Sequence, residues 1–118
     1  MGKPFADPSC LFCRIGRREI PASIVFEDET ALAFHDVAPK APTHVLVIPK
    51  THLARLSATS GADNALLGEC LAALRAVART LSLESYRIVT NDGADAGQSV
   101  SHLHFHLLGG RAFAWPPG

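Results

Sequence analysis

Apolar positions along this chain recur with two different periods. Between residues 60 and 81 they fall at Leu67, Leu71, Leu74, Ala78 and Leu81, with Cys70 and Val77 beside them. Spacings of three and four place such residues on one stripe of a helix. Ser60-Gly-Ala-Asp63 just ahead of the run has the character of a helix start. The predicted helix, 61–81, has a length of about 30 Å at about 1.5 Å per residue, enough to cover one face of a small sheet.

Elsewhere the runs are shorter. Segments 23–27, 31–35, 44–48 and 87–91 are rich in β-branched, aromatic or aliphatic residues and read as strands. Glu27-Asp28-Glu29 reads as a hairpin turn, and 37–43, with two prolines, as a rigid loop. Pro49 is expected to stop the third strand. Residues 11–19 suggest a short helix that ends before Pro21. The clearest period of two is Ser101-His-Leu-His-Phe-His-Leu-Leu-Gly-Gly110, a predicted strand with an apolar underside and imidazoles above.

Three strands, a long helix and two more strands predict an α+β fold. Its sheet is mostly antiparallel and about five-stranded, with one short and one long helix on one face. Neither an internal repeat nor a linker divides the chain, so 1–118 is expected to form one domain, with the proline-interrupted segment 1–8 loose.

Composition narrows the functional classes. Apolar residues make up 47% of the chain, enough for a core without disulfides. Eleven basic and 11 acidic residues balance to a net charge of +0, which disfavours nucleic acid polymer and anionic membrane surfaces as partners. No apolar run approaches the ~20 residues of a membrane span. The first residues lack a signal-peptide core, and Ala6 makes Gly2 a poor myristoylation position. An odd set of three cysteines, Cys10, Cys13 and Cys70, then suggests a reduced, cytoplasmic setting. Cys70, on the helix's apolar side, reads as a small buried hydrophobe.

His102, His104 and His106 carry the candidate chemistry. Three readings compete: a half-exposed strand, a metal site built on His-x-His, and a nucleophilic histidine with helpers. The preceding segment, Asp92-Gly-Ala-Asp-Ala-Gly-Gln-Ser99, favours the third. Its glycines expose backbone N–H groups that can cradle a phosphate, and Ser99 adds a hydroxyl. Cys10-x-x-Cys13 is a separate metal candidate; a redox role would require a βαβ setting that the pattern lacks.

His102-Leu-His-Phe-His-Leu-Leu108 resembles the His-φ-His-φ-His-φ-φ signature of the histidine-triad (HIT) nucleotide-binding superfamily, φ being apolar. Further segments are similar to its Hint branch: Cys10-Leu-Phe-Cys13, Glu19-Ile-Pro-Ala22, Phe34-His-Asp-Val37, Ala41-Pro-Thr-His44, Val47-Ile-Pro-Lys50, Gly97-Gln-Ser-Val100, Gly109-Gly-Arg111 and Trp115-Pro-Pro-Gly118. The resemblance spans residue 9 to the end. The terminal Trp-Pro-Pro-Gly points to the Hint branch rather than to the dinucleoside polyphosphate hydrolases.

The resemblance implies a HIT-like domain whose sheet continues across a homodimer, and a purine nucleoside phosphoramidase. Such enzymes cleave the P–N bond of an AMP- or GMP-amine conjugate through a nucleotidyl-histidine. It implies His104 as nucleophile, His106 at the phosphate, His44 bonded within the imidazole cluster and holding the nucleophile's tautomer, and Ser99 at phosphate and leaving nitrogen. Asp36 would bind the ribose hydroxyls. Asn91, Gly97 and Gln98 would line the same pocket, and Phe12, Ile20, Phe34, His35 and Val37 would line the purine site. Tail residues 112–118 would reach the partner, where Trp115 would meet its ligand. No cofactor is implied for catalysis. Some bacterial members hold structural zinc at positions matching Cys10, Cys13, His52 and His102. Two other functions stay open: dinucleoside polyphosphate hydrolysis, and purine-nucleotide binding without catalysis.

Overall fold

The computed structural model describes residues 3–118. Met1 and Gly2, which include the myristoylation position considered above and part of the segment expected to be loose, lie outside the described residues. Five strands form one sheet: β1 (Ile24–Glu27), β2 (Ala31–His35), β3 (Thr43–Pro49), β4 (Tyr86–Val89) and β5 (Phe105–Gly109). Their order is β1-β2-β3-β5-β4, and every pairing is antiparallel. Two α-helices accompany them, α1 (Leu11–Gly16) and α2 (Asn64–Thr80), with three short 3₁₀ turns. None of the helices among the described residues is long and apolar enough to cross a membrane.

The elements follow local chemistry. In the β1–β2 hairpin, Asp28 Oδ1 accepts from the Thr30 and Ala31 amides, both at 2.8 Å, so the acidic turn is held by its middle carboxylate. Ser60 and Asp63 form a capping box that opens a 3₁₀ turn running into α2. The predicted stripe on α2 is rotated by about one position. Leu71 is 53% exposed, whereas Leu66, Cys70, Ala73, Leu74, Val77 and Ala78 are buried. Small side chains at 70, 73 and 78 are what the sheet accepts at closest approach.

The helices cover opposite faces of the sheet rather than one. Ala33, Val45, Val47, Leu103, Phe105 and Leu107 pack with α2. Leu32, Phe34, Leu46 and Ile48 pack instead with Phe12, Cys13 and Ile15 of α1 and with Phe5. The cause is alternation: β2 and β3 are apolar on both faces, so both need cover. α1 also ends sooner than expected, at Gly16. The Phe5 ring lies where a side chain at that glycine would have to go. Segment 3–8 is accordingly tied down; Phe5 is buried and its amide donates to the Lys50 carbonyl at 2.7 Å.

Only Phe105–Gly109 of the histidine run belongs to the ladder. The alternation nonetheless extends back to residue 102. Leu103 enters the α2-side core, while His102 and His104 are buried against Phe12 on the other side.

Candidate active site

The imidazoles on the α1 side are held by backbone groups, and those groups decide where each proton sits. His104 Nδ1 lies 2.7 Å from the His102 carbonyl. A carbonyl only accepts, so Nδ1 carries a hydrogen, and in the neutral ring Nε2 keeps the lone pair. His44 Nδ1 lies 3.0 Å from the Lys40 amide. An amide only donates, so the His44 proton is on Nε2, which donates to His106 Nδ1 at 2.8 Å. Asp36 Oδ2 stands 3.4 Å from the same His44 nitrogen. His106 is thereby left with its proton on Nε2. Among the described residues, no buried side-chain nitrogen or oxygen lacks a partner.

One member of this set differs from expectation. His44 holds the tautomer of His106, not that of the proposed nucleophile. The backbone of His102 holds His104.

Burial favours the neutral rings. It lowers the pKa of His44, and with the neighbouring His104 and His44 rings it brings His106 down to about 4. Burial likewise lowers His102 to about 4. Unfolded imidazoles titrate near ~6.5, so between about pH 6.5 and 4 the unfolded chain binds more protons than the folded one. Stability is expected to be full above that window and to fall, by on the order of a few kcal/mol, as pH drops through it. Urea midpoints at pH 7.5, 6 and 5 measure this; a flat series would contradict neutral buried rings.

His104 and His106, with ring centroids 5.1 Å apart, line a cavity of about 370 Å³. Phe12, Ile20, Phe34, His35, Asp36, Val37 and Ser99 line it as well. Asp36 Oδ1 accepts from the Ala38 amide at 2.8 Å, which sets the carboxylate at the rim. Leu11, Ile15, Leu46 and Val100 also contribute and were not anticipated. Ile15 is one helical turn from Phe12. Leu46 is two residues from His44 on the same face of β3, so period arguments reach both.

Other predicted residues lie off the cavity. His44 sits behind His106. Gln98 braces its own loop: Oε1 accepts from the Gly93 amide at 2.8 Å, and Nε2 donates to the Ala54 and Val100 carbonyls at 2.8 and 3.0 Å. Gly97, at φ 99°, makes the left-handed turn that ends the 3₁₀ segment 94–96, and Asn91 packs beside it. Trp115 is 83% exposed and does not line this cavity.

His102 faces a second cluster. Its Nε2 lies 2.9 Å from the Pro49 carbonyl and so carries the proton, which turns the Nδ1 lone pair toward Cys10, Cys13 and His52. From that nitrogen, Cys10 Sγ is 3.3 Å away, Cys13 Sγ 3.7 Å and His52 Nδ1 3.1 Å; Cys13 Sγ to His52 Nδ1 is 3.6 Å. A tetrahedron with metal–nitrogen bonds of about 2.1 Å and metal–sulfur bonds of about 2.3 Å has edges of about 3.4 to 3.8 Å. The four separations, 3.1 to 3.7 Å, lie close to those edges, and all four donor atoms lie within 4.8 Å of one another, a spacing that suits a zinc-type ion. Burial pushes the Cys13 thiol up to about 11, and a bound cation would reverse that by favouring thiolate. Asp7 Oδ2, 3.8 Å from His52 Nε2, stands where an outer carboxylate would orient that ring. Cys70, by contrast, is fully buried on the sheet-facing side of α2, and burial pushes its thiol up to about 12.

Known proteins are similar to this chain in sequence and fold. A HIT domain model matches residues 17–113. An uncharacterized HIT-like protein of Synechocystis is 55% identical over 109 residues, covering 92% of this chain and 96% of its own. The crystal structure of a HIT family hydrolase from Legionella pneumophila matches at 48% identity with a TM-score of 0.89, covering 93% of this chain and 100% of that one. A HIT family hydrolase from Clostridium thermocellum matches at 41% identity with a TM-score of 0.90, covering 92% and 96%. With the domain model, the relatives and the fold in agreement, this chain belongs to the HIT domain family, and its structural neighbours include HIT family hydrolases.

Proposed function

We propose that the cavity binds a purine nucleoside 5′-monophosphoryl group and that the chain hydrolyses P–N bonds of nucleoside phosphoramidates, as in the Hint branch. The supporting observation is the pairing of a bare His104 Nε2 with a proton-bearing His106 Nε2 at one cavity wall. In its neutral form the first is a nucleophile. The second is a donor for charge developing on phosphoryl oxygen.

In the first half-reaction His104 Nε2 bonds to phosphorus, the P–N bond breaks, and the amine leaves with a proton drawn from solvent. The imidazole becomes cationic as it is phosphorylated. The His102 carbonyl, already accepting from Nδ1–H, stabilises that charge without reorganising. Water then attacks phosphorus, the His104–phosphorus bond breaks, and AMP or GMP is released. Asp36 receives the ribose hydroxyls, the apolar wall of Phe12, Ile20 and Phe34 receives the base, and Ser99 meets the leaving group. No step calls on a cofactor. The Cys10–Cys13–His52–His102 set would hold a structural zinc ion, whose chemistry when bound is to keep the thiolates ionised and cross-link the segments.

The homodimer belongs to this reading. β4 is a free sheet edge with Tyr86 and Ile88 exposed, and the tail is fastened beside it by Arg87 Nη2 donating to the Ala114 carbonyl at 2.9 Å. Trp115 is then free to meet a partner's ligand. Adenosine 5′-phosphoramidates and diadenosine polyphosphates assayed side by side, on protein sized by sedimentation, test the whole proposal. Preferred turnover of the phosphoramidate by a dimer is expected. Preference for the diadenosine substrate would replace it with polyphosphate hydrolysis. AMP binding without turnover would reduce it to a nucleotide-binding protein.

A further inference from the structure

The metal-ligand quartet and the nucleotide cavity are separate in space but joined through the chain. None of Cys10, Cys13, His52 and His102 lines the cavity. Two segments nevertheless have one side on the quartet and the other on the nucleophile. His102 offers its ring to the quartet, while its own carbonyl holds His104 Nδ1–H at 2.7 Å. Phe12 lies between the two cysteines, and its ring meets His104 edge-on with centroids 5.1 Å apart.

α1, which carries Phe12 and Cys13, has six residues. A helix that short has no stability of its own and depends on what fastens it. Its start is fastened through the quartet itself, since the Cys13 amide donates to Cys10 Sγ at 3.4 Å. Asp7 supports the same turn, its Oδ1 accepting from the Ser9 and Cys10 amides at 2.8 and 3.1 Å. A depression lined by Asp7, Cys10 and His52 opens onto the cluster and gives an ion a route in.

We infer that a divalent ion held by Cys10, Cys13, His52 and His102 acts as a positioning element for the nucleotide site, fixing at once the Phe12 wall and the carbonyl that keeps His104 in its Nδ1–H form. The ion touches neither substrate nor reacting atoms. It works by tying α1 to residue 102. Its effect on ligand binding rests on the nucleotide reading of the cavity; its effect on the His104 tautomer does not.

The test compares full-length protein stripped by a chelator with the same protein reloaded with zinc, alongside His52→Ala, whose ring is a quarter exposed and remote from the cavity. Zinc content is measured after dialysis, histidine tautomers by two-bond ¹H–¹⁵N correlation, and AMP affinity by calorimetry. One zinc per chain is expected. Stripping should turn a single Nδ1–H signature at His104 into a mixture, weaken AMP binding by about tenfold, and be reversed by zinc. His52→Ala should resemble the stripped protein even with zinc present. Absence of zinc uptake, or a His104 spectrum identical in loaded and stripped protein, would overturn the inference. Global unfolding of both stripped protein and His52→Ala would also overturn it, leaving the ion a purely structural role. A zinc-responsive His104 in a protein that never binds AMP would sustain the positioning role and remove the nucleotide reading instead.

Discussion

His104→Ala is expected to abolish turnover of an adenosine 5′-phosphoramidate, by about 10⁴-fold or more, because it removes the nitrogen proposed to bond to phosphorus. His106 cannot take over. Its Nδ1 accepts from His44 Nε2 at 2.8 Å, and its Nε2 bears a hydrogen, so neither nitrogen has a lone pair free for attack. The variant should still fold, with a cost of about 1–3 kcal/mol for a buried His102 carbonyl that loses its donor. Single turnovers quenched in alkaline denaturant, where a histidine P–N bond survives, should show phosphorus-labelled wild-type chain and unlabelled variant. Residual turnover within tenfold of wild type would remove His104 from its role.

His44→Ala has the next largest expected effect, a loss of about 10²-fold in kcat with KM little changed. His44 does not line the cavity, so no substrate contact is lost. What is lost is the donor that keeps His106 Nδ1 occupied and its proton on Nε2. Without it the ring can present a lone pair where the developing phosphoryl charge needs a hydrogen. The loss should be in kcat because that charge exists only in the transition state. Steady-state kinetics against the same substrate measure the split. An effect confined to KM would contradict the relay from Lys40 through His44 to His106.

The parts of the fold that could be read in the sequence are those governed by period. Ala31–His35 has the predicted bounds, and the long helix and the other strands agree to within a few residues. Alternation also separated Leu103, Phe105 and Leu107 from the three imidazoles before any fold was known. Helix placement was harder to read. A strand such as Thr43–Pro49, apolar at nearly every position, does not say which helix lies on which side.

The candidate site was legible by residue type and resemblance, and less so by contact. The resemblance puts Gln98 in the pocket, yet its side chain is spent on three backbone groups of its own loop and its neighbours. The groups that decide tautomers, the Lys40 amide and the His102 and Pro49 carbonyls, belong to the main chain. Every residue has such groups, so no side-chain pattern distinguishes them.

The interleaving of imidazole and apolar residues from 102 to 107 also bears on folding quality. A slip of one residue would turn the histidines toward Ala73, Leu74 and Val77 of α2 and push Leu103, Phe105 and Leu107 to the α1 side. Such a misregistered molecule would bury three polar rings without their backbone partners and could not persist. Core and active site are therefore checked by the same register. A chain able to close its core has already set its imidazoles on the α1 side of the sheet.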